Sequence, residues 1–275
     1  MTPQVFAAIE GCAARLRSSD RLDAAAVAVL RGTGVARMLQ PEDYGGFATH
    51  PGDFAEAVMT LAALHGPAGW VAGMVGVAGW QLAMAPRRVR DEVWEADADT
   101  WVTSVLEPAG TLTPAADGYR LTGCWPAGLG IDHGDWVLLG ARLDGGPRRV
   151  HVLVPRAELR IVAESHVVVA GAAVPGYRVL DYHALVSGAA AAGLRNPIYR
   201  MPFRIIYPLG VGAAVIGMAE GALARHPHDG AAAEIRAARV ALLDTVTKSF
   251  FAALDGGLDT VDSALRAGLC EMAAP

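Results

Sequence analysis

The repeat distance of the apolar residues changes twice along this chain, and one uniform layer of secondary structure cannot satisfy both periods. Apolar residues recur every three or four positions in Val5–Leu16, Leu22–Thr33, Asp53–Leu64 and Ala68–Met84, the spacing of one helix face. A short amphipathic segment follows from Pro86 to Trp94. From Trp101 to Val174 the pattern turns to alternation, in Trp101–Leu106, the segment after the Asp117-Gly118 turn, Trp136–Leu143, Arg149–Val154 and His166–Val174, which reads as short strands. Helical spacing returns in Ile206–Ala224 and Ala231–Leu254, and a third segment begins at Leu258. Blocks of helices, strands and helices predict an α+β chain: a helical domain over 1–98, a small antiparallel barrel or sandwich over 99–187, and a second helical domain over 188–275. Gly188–Gly193 reads as a linker or disordered loop between the last two.

Composition narrows the function classes. The chain has 275 residues, 53% of them hydrophobic and 19% charged, with a formal net charge of -5. That is a globular composition, and the charge excludes nucleic acid as the natural partner. Cys12, Cys124 and Cys270 are far apart, so neither a disulfide framework nor a zinc site is expected. The N-terminal segment meets charge early and lacks a signal-peptide core. Val71–Ala85 is apolar, but Gly73, Gly76, Gly79 and Gln81 interrupt it, and it is too short to span a bilayer. These features predict a cytoplasmic protein with a buried helix there. His226-Pro227-His228-Asp229 reads as a helix–helix turn rather than a metal site, and Gly210-x-Gly212 lacks the strand context of a dinucleotide fingerprint.

Short motifs in order then bring a family into view. Pro41-x-x-Tyr44-Gly45-Gly46, Leu61-Ala62-Ala63-Leu64 with Gly69-Trp70-Val71, Asp91-Glu92-Val93-Trp94, Gly118-Tyr119-Arg120-Leu121-Thr122-Gly123-Cys124-Trp125-Pro126, Asp132-His133-x-x-Trp136 and Ala173-Val174-Pro175-Gly176-Tyr177-Arg178 resemble segments of the acyl-CoA dehydrogenase superfamily. The likeness is to its two-component, reduced-flavin-dependent monooxygenases, which hydroxylate phenols and polyketides. The resemblance covers roughly residues 35–180 and implies a central antiparallel β-barrel between helical domains. It also implies a flavin-like cleft between barrel and helices, lined by Trp101, Thr103, Ser104, Trp125 and residues near Asp132.

The chain departs from the family pattern at several of these places. Leu129 stands where the family has a serine, Val77-Ala78-Gly79 before Trp80 contains no histidine, and Ile161–Ser165 leads directly into Val167 without the family's loop. Family chains also continue past this C-terminus, so the C-terminal bundle is expected to be incomplete. Together these differences predict no resident flavin. The leading expectation is a tailoring enzyme of secondary metabolism that carries out a redox-neutral cyclisation, dehydration or isomerisation on a bulky, apolar, polyketide-like substrate. The alternative is a two-component hydroxylase that borrows reduced FMN or FAD from a separate flavin reductase; a third reading is a non-catalytic partner of a full-length homologue.

For acid–base work Asp132-His133 is the first candidate, because a carboxylate beside an imidazole tunes it near neutrality. Neighbouring strand residues face opposite ways, however, and a turn Asp beside a solvated His is the plainer reading. Glu107, after the first strand, is either a buried general acid or a surface carboxylate at a strand end. Ser104 either orients a ligand carbonyl or satisfies backbone. Trp101 and Trp125 are either an aromatic wall or core. Tyr207, with Tyr199 and Arg204, either closes the cleft or belongs to a rigid connector between Pro202 and Pro208. The Gly/Ala-rich helix 206–224 is the expected surface of a homodimer or higher homo-oligomer. No metal and no membrane are expected.

Overall fold

In the computed structural model, residues 2–17, 21–126, 130–162 and 166–255 are described. Five helices come first: α1 (Thr2–Arg17), α2 (Ala24–Thr33), α3 (Pro51–Leu64), α4 (Gly66–Ala83) and α5 (Arg87–Trp94). Local chemistry sets their ends. Asp23 accepts a hydrogen bond from Ala26 N at 2.8 Å to start α2, and Gly34, at φ 74°, closes it. His65 alone joins α3 to α4, its Nδ1 accepting from Ala68 N at 3.1 Å. The Pro41-x-x-Tyr44-Gly45-Gly46 turn works as a dock. Gly45 takes φ 74°, and the Tyr44 hydroxyl donates to Asp91 Oδ1 of α5 at 2.5 Å.

Seven strands follow: β1 (Val102–Ala115), β2 (Gly118–Pro126), β3 (Trp136–Leu143), β4 (Arg149–Pro155), β5 (Arg160–Val162), β6 (His166–Val174) and β7 (Val179–Asp181). They form one sheet in the order β5-β6-β2-β1-β3-β4-β7. The expected closed antiparallel barrel is therefore corrected in two respects. The short strands β5 and β7 are edges that do not pair with each other, and the central β1–β3 pair is parallel. The register of that pair shifts between Val105 and Gly110. Opposite the shift, a Cβ on Gly140 would lie 2.3 Å from Leu106 O and 2.5 Å from Glu107 O. Glycine thus lets the β1 backbone swing inward over β3.

The C-terminal part comprises α6 (Tyr182–Val186), α7 (Phe203–Ile206), α8 (Leu209–Arg225) and α9 (Asp229–Leu254). Pro208 separates α7 from α8, since proline has no N–H to continue a helical ladder. Residues 188–193 are not a disordered linker: Ala189–Ala191 make a 3₁₀ turn, and Ala191 is buried in the helical core. His228 caps α9 by accepting from Ala231 N at 3.3 Å, and no cluster of metal-ligating side chains exists among the described residues.

One apolar core contains residues from α1 through α4 together with α7, α8 and α9, so the helices on both sides of the sheet in sequence share a single interior. A second cluster lies within the sheet. A third joins Ala78, Leu82, Val89 and Val93 to Val102, Leu138 and Leu153. The segment Phe203–Arg225 is long and apolar enough to cross a membrane by composition, yet its glycines are pressed onto neighbouring helices. A Cβ on Gly217 would meet Met59 O at 2.2 Å, and one on Gly221 would meet Ala63 O at 2.4 Å. The small-residue face expected to make a dimer is therefore occupied by α3 and α4 of the same chain.

Candidate active site

The sequence candidates divide between core and cavity. Trp101 is buried, with the Arg31 guanidinium 4.2 Å from its ring centroid. Arg31 also pairs with Asp135 at 3.0 Å, and Asp135 accepts from Trp101 N at 2.8 Å. Trp101 therefore joins α2 to the start of β1. Thr103 is buried, its hydroxyl 3.5 Å from Trp136 O, and Ser104 is half-buried one residue on. Trp125 lies in the sheet core, donating from Nε1 to Gly140 O at 2.7 Å. Its ring occupies the space left by Gly110 and Gly123, where a Cβ would come within 2.3 and 2.6 Å of it. In this position Trp125 is core rather than an open aromatic wall. Trp125→Phe, which strands the Gly140 carbonyl, is expected to cost about 2 kcal/mol in urea unfolding.

Asp132 and His133 lie on a 3₁₀ turn, Ile131–His133, and not on a strand. The turn brings His133 Nε2 within 3.8 Å of Asp132 Oδ1, beyond hydrogen-bonding distance. Neither residue lines the cavities described below. Leu129 and the Ala163–Ser165 segment, where the family comparison turned, lie outside the described residues.

Glu107 and Tyr207 do come together. They lie on the wall of a cavity of about 550 Å³ between the β1 swing, β4, α6 and α7. Glu107 is exposed at its rim rather than buried as a general acid would be. Behind the rim is an aromatic group. Phe203 stacks on Tyr207 with centroids 5.1 Å apart and planes at 24°, and meets Tyr182 edge-on at 6.2 Å. His151 packs edge-on to Tyr182 at 5.3 Å. Trp80 of α4 holds this segment by donating to Ile198 O at 2.7 Å, and the Tyr199 hydroxyl donates to Leu39 O at 3.2 Å.

His151 is the residue that sequence reasoning missed. It is 2% exposed, and burial pushes its pKa down to about 4, so it is neutral at pH 7. Gln81 Nε2 lies 2.5 Å from its Nδ1. The available signal was one imidazole inside the otherwise apolar, continuously buried run of β4.

No family model matches the chain. It is 40% identical over 236 residues to a pigment production hydroxylase of Rhodococcus erythropolis, a match covering 78% of this chain and 60% of the relative. Over 213 residues it is 36% identical to the oxygenase subunit HsaA, a flavin-dependent monooxygenase of Rhodococcus jostii, covering 72% of this chain and 56% of that one. The chain thus spans little more than half the length of these curated relatives. A crystal structure of the HsaA monooxygenase from M. tuberculosis superposes with a TM-score of 0.86 at 31% identity, covering 93% of this chain and 77% of that one. The chain belongs to the family of oxygenase components of two-component flavin-dependent monooxygenases, on the acyl-CoA dehydrogenase-like fold.

Proposed function

We propose that the chain is the oxygenase component of a two-component aromatic hydroxylase, a cytoplasmic enzyme that receives reduced FMN or FAD from a separate flavin reductase. The observation that carries this reading is the likeness to the HsaA monooxygenase across nearly the whole chain. Relatives at 30% and 26% identity are named an FADH(2)-dependent resorcinol hydroxylase and a p-hydroxyphenylacetate 3-hydroxylase, each an oxygenase component. A redox-neutral cyclisation, dehydration or isomerisation draws no support from these relatives, and neither does the expectation of a chain without flavin.

The side chains around the larger cavity fit a flavin. Phe203, Tyr207 and Tyr182 offer ring faces for a planar heterocycle. Arg149 and Arg204 line the same cavity and suit an anionic tail. Just before Phe203, the buried Arg200 Nε has no hydrogen-bond partner, an arrangement that favours an added acceptor. When bound, reduced flavin supplies the two electrons with which molecular oxygen is divided between a hydroxyl on the substrate and water. The chain's own part is to stack the ring on Phe203 and Tyr207, to balance its charge with arginine, and to keep water from the apolar interior. Val211, Val215, Val240 and Phe251, exposed on α8 and α9, are the apolar side chains that a homo-oligomer would cover.

The test is anaerobic titration with reduced FMN and reduced FAD, followed by aerobic turnover with a flavin reductase, NADH and a phenol. Saturable quenching of tryptophan fluorescence and a product heavier by one oxygen atom are expected. No uptake of either reduced flavin would overturn the reading.

A further inference from the structure

A second, smaller cavity of about 190 Å³ shares His151 with the larger one. Its walls include Met84, Ala85, Leu180 and Leu185, with Gln81 beside His151. For scale, an apolar cavity of roughly 150 Å³ accepts one benzene ring. The space therefore fits a single six-membered ring with a small substituent and excludes a fused pair.

Three polar side chains face this space, and two of them determine what it recognises. Asp181 is engaged elsewhere: its carboxylate accepts from His183 N at 2.7 Å and Ala184 N at 3.1 Å, and from Arg148 Nη2 at 2.7 Å. Gln81 Nε2 donates to His151 Nδ1 at 2.5 Å. An imidazole that accepts at Nδ1 carries its proton on Nε2 and donates there. His151 makes no other hydrogen bond among the described residues. Buried and neutral, it recognises a partner by hydrogen bonding and not by charge.

We propose that this small chamber binds a single aromatic ring bearing a hydroxyl group, with His151 Nε2 donating to the hydroxyl oxygen and Gln81 holding the imidazole in the donating tautomer. The proposal rests on the hydroxylase reading for what is then done to the ring; the binding itself rests on the chamber's size, its lining and the Gln81–His151 pair. A site built to bond a hydroxyl rejects the analogue lacking it, because its own polar group is then left unpaired.

Phenol and toluene differ by little more than a hydroxyl for a methyl, so calorimetric titration of the full chain with each isolates that bond. Phenol is expected to bind about tenfold more tightly than toluene, and 2-naphthol is expected not to enter. His151→Phe should abolish the preference while toluene still binds, and Gln81→Leu should reduce it. Phenol should also shift the 15N resonance of His151 Nε2, a change that a purely structural histidine would not show. If His151→Phe fails to fold because the Gln81 amide is stranded, combining it with Gln81→Leu removes both polar partners and gives the same readout. Equal binding of phenol and toluene, a preference that survives His151→Phe, or 2-naphthol binding as tightly as phenol would each overturn the proposal. Reduced-flavin titration of the same samples separates the two readings. A protein that prefers phenol but takes up no reduced flavin loses the hydroxylase reading and keeps the chamber. One that takes up flavin without the preference loses only the chamber.

Discussion

Replacing Gly73 by alanine is expected to destabilise the chain by about 3 kcal/mol or more, while the identical change at Gly11 is expected to stabilise it by up to about 1 kcal/mol. Both glycines lie inside helices, where alanine is intrinsically the better residue. Their surroundings reverse the sign. A Cβ on Gly11 meets nothing within 4 Å, whereas one on Gly73 would lie 2.5 Å from Gly210 O and 2.8 Å from Gly210 C. Gly210 is equally confined, its Cβ position lying 2.3 Å from Gly73 O. The contact is backbone on backbone, so no side chain can rotate away, and α4 and α8 must separate for a methyl to enter. Separation would loosen the packing beneath Gly217 and Gly221 as well, because all three glycines of α8 lie on neighbouring helices. Urea unfolding of the two variants measures both effects. Equal shifts in midpoint for Gly11→Ala and Gly73→Ala would show that the crossing is not as close as described.

That crossing illustrates what the sequence disclosed and what it withheld. The apolar, glycine-interrupted run at 71–85 was legible as a buried helix, and the Gly/Ala composition of 206–224 as a close-packing one. Which helix the glycines of α8 would meet was not legible, because α4 and α8 are brought together by the whole core. The same limit applies in the sheet. The Asp117-Gly118 turn announces the β1–β2 hairpin, in which Gly118 takes φ 131°, but no local signal announces that β1 pairs in parallel with β3. The site suffers most from this limit. Gln81, His151, Tyr182 and Phe203 come from four different elements, and none forms a motif with its sequence neighbours. Asp132-His133 and Trp125, which do lie in motifs, are used for a turn and for the sheet interior. Motif residues here report the fold, and the cavity is assembled from residues between motifs.

Acidification is expected to remove about 3 kcal/mol of stability as pH falls from 6.5 towards 4, with His151 as the main source. In the folded chain burial holds its pKa at about 4, against an ordinary value of 6.5. Below pH 6.5 the unfolded chain takes up a proton that the folded chain refuses. Stability is thus complete above 6.5, declines with falling pH, and levels off once the folded imidazole also protonates. His50 is shifted in the same direction by burial and adds to the slope. Glu92, beside the Arg178 guanidinium, and Asp181, beside Arg148, are also held low. Their contributions are present above their ordinary carboxylate values of 4.5 and 3.8 and are lost only below them. Between pH 6.5 and 4.5 the histidines therefore dominate, and the effect can be isolated by urea unfolding of wild type and His151→Gln across that interval. The variant is expected to be less stable at pH 7, since it loses the imidazole's packing on Tyr182, and to show a much flatter pH dependence. Parallel slopes for the two proteins would remove His151 as the source and would place a charged imidazole at the wall shared by the two cavities.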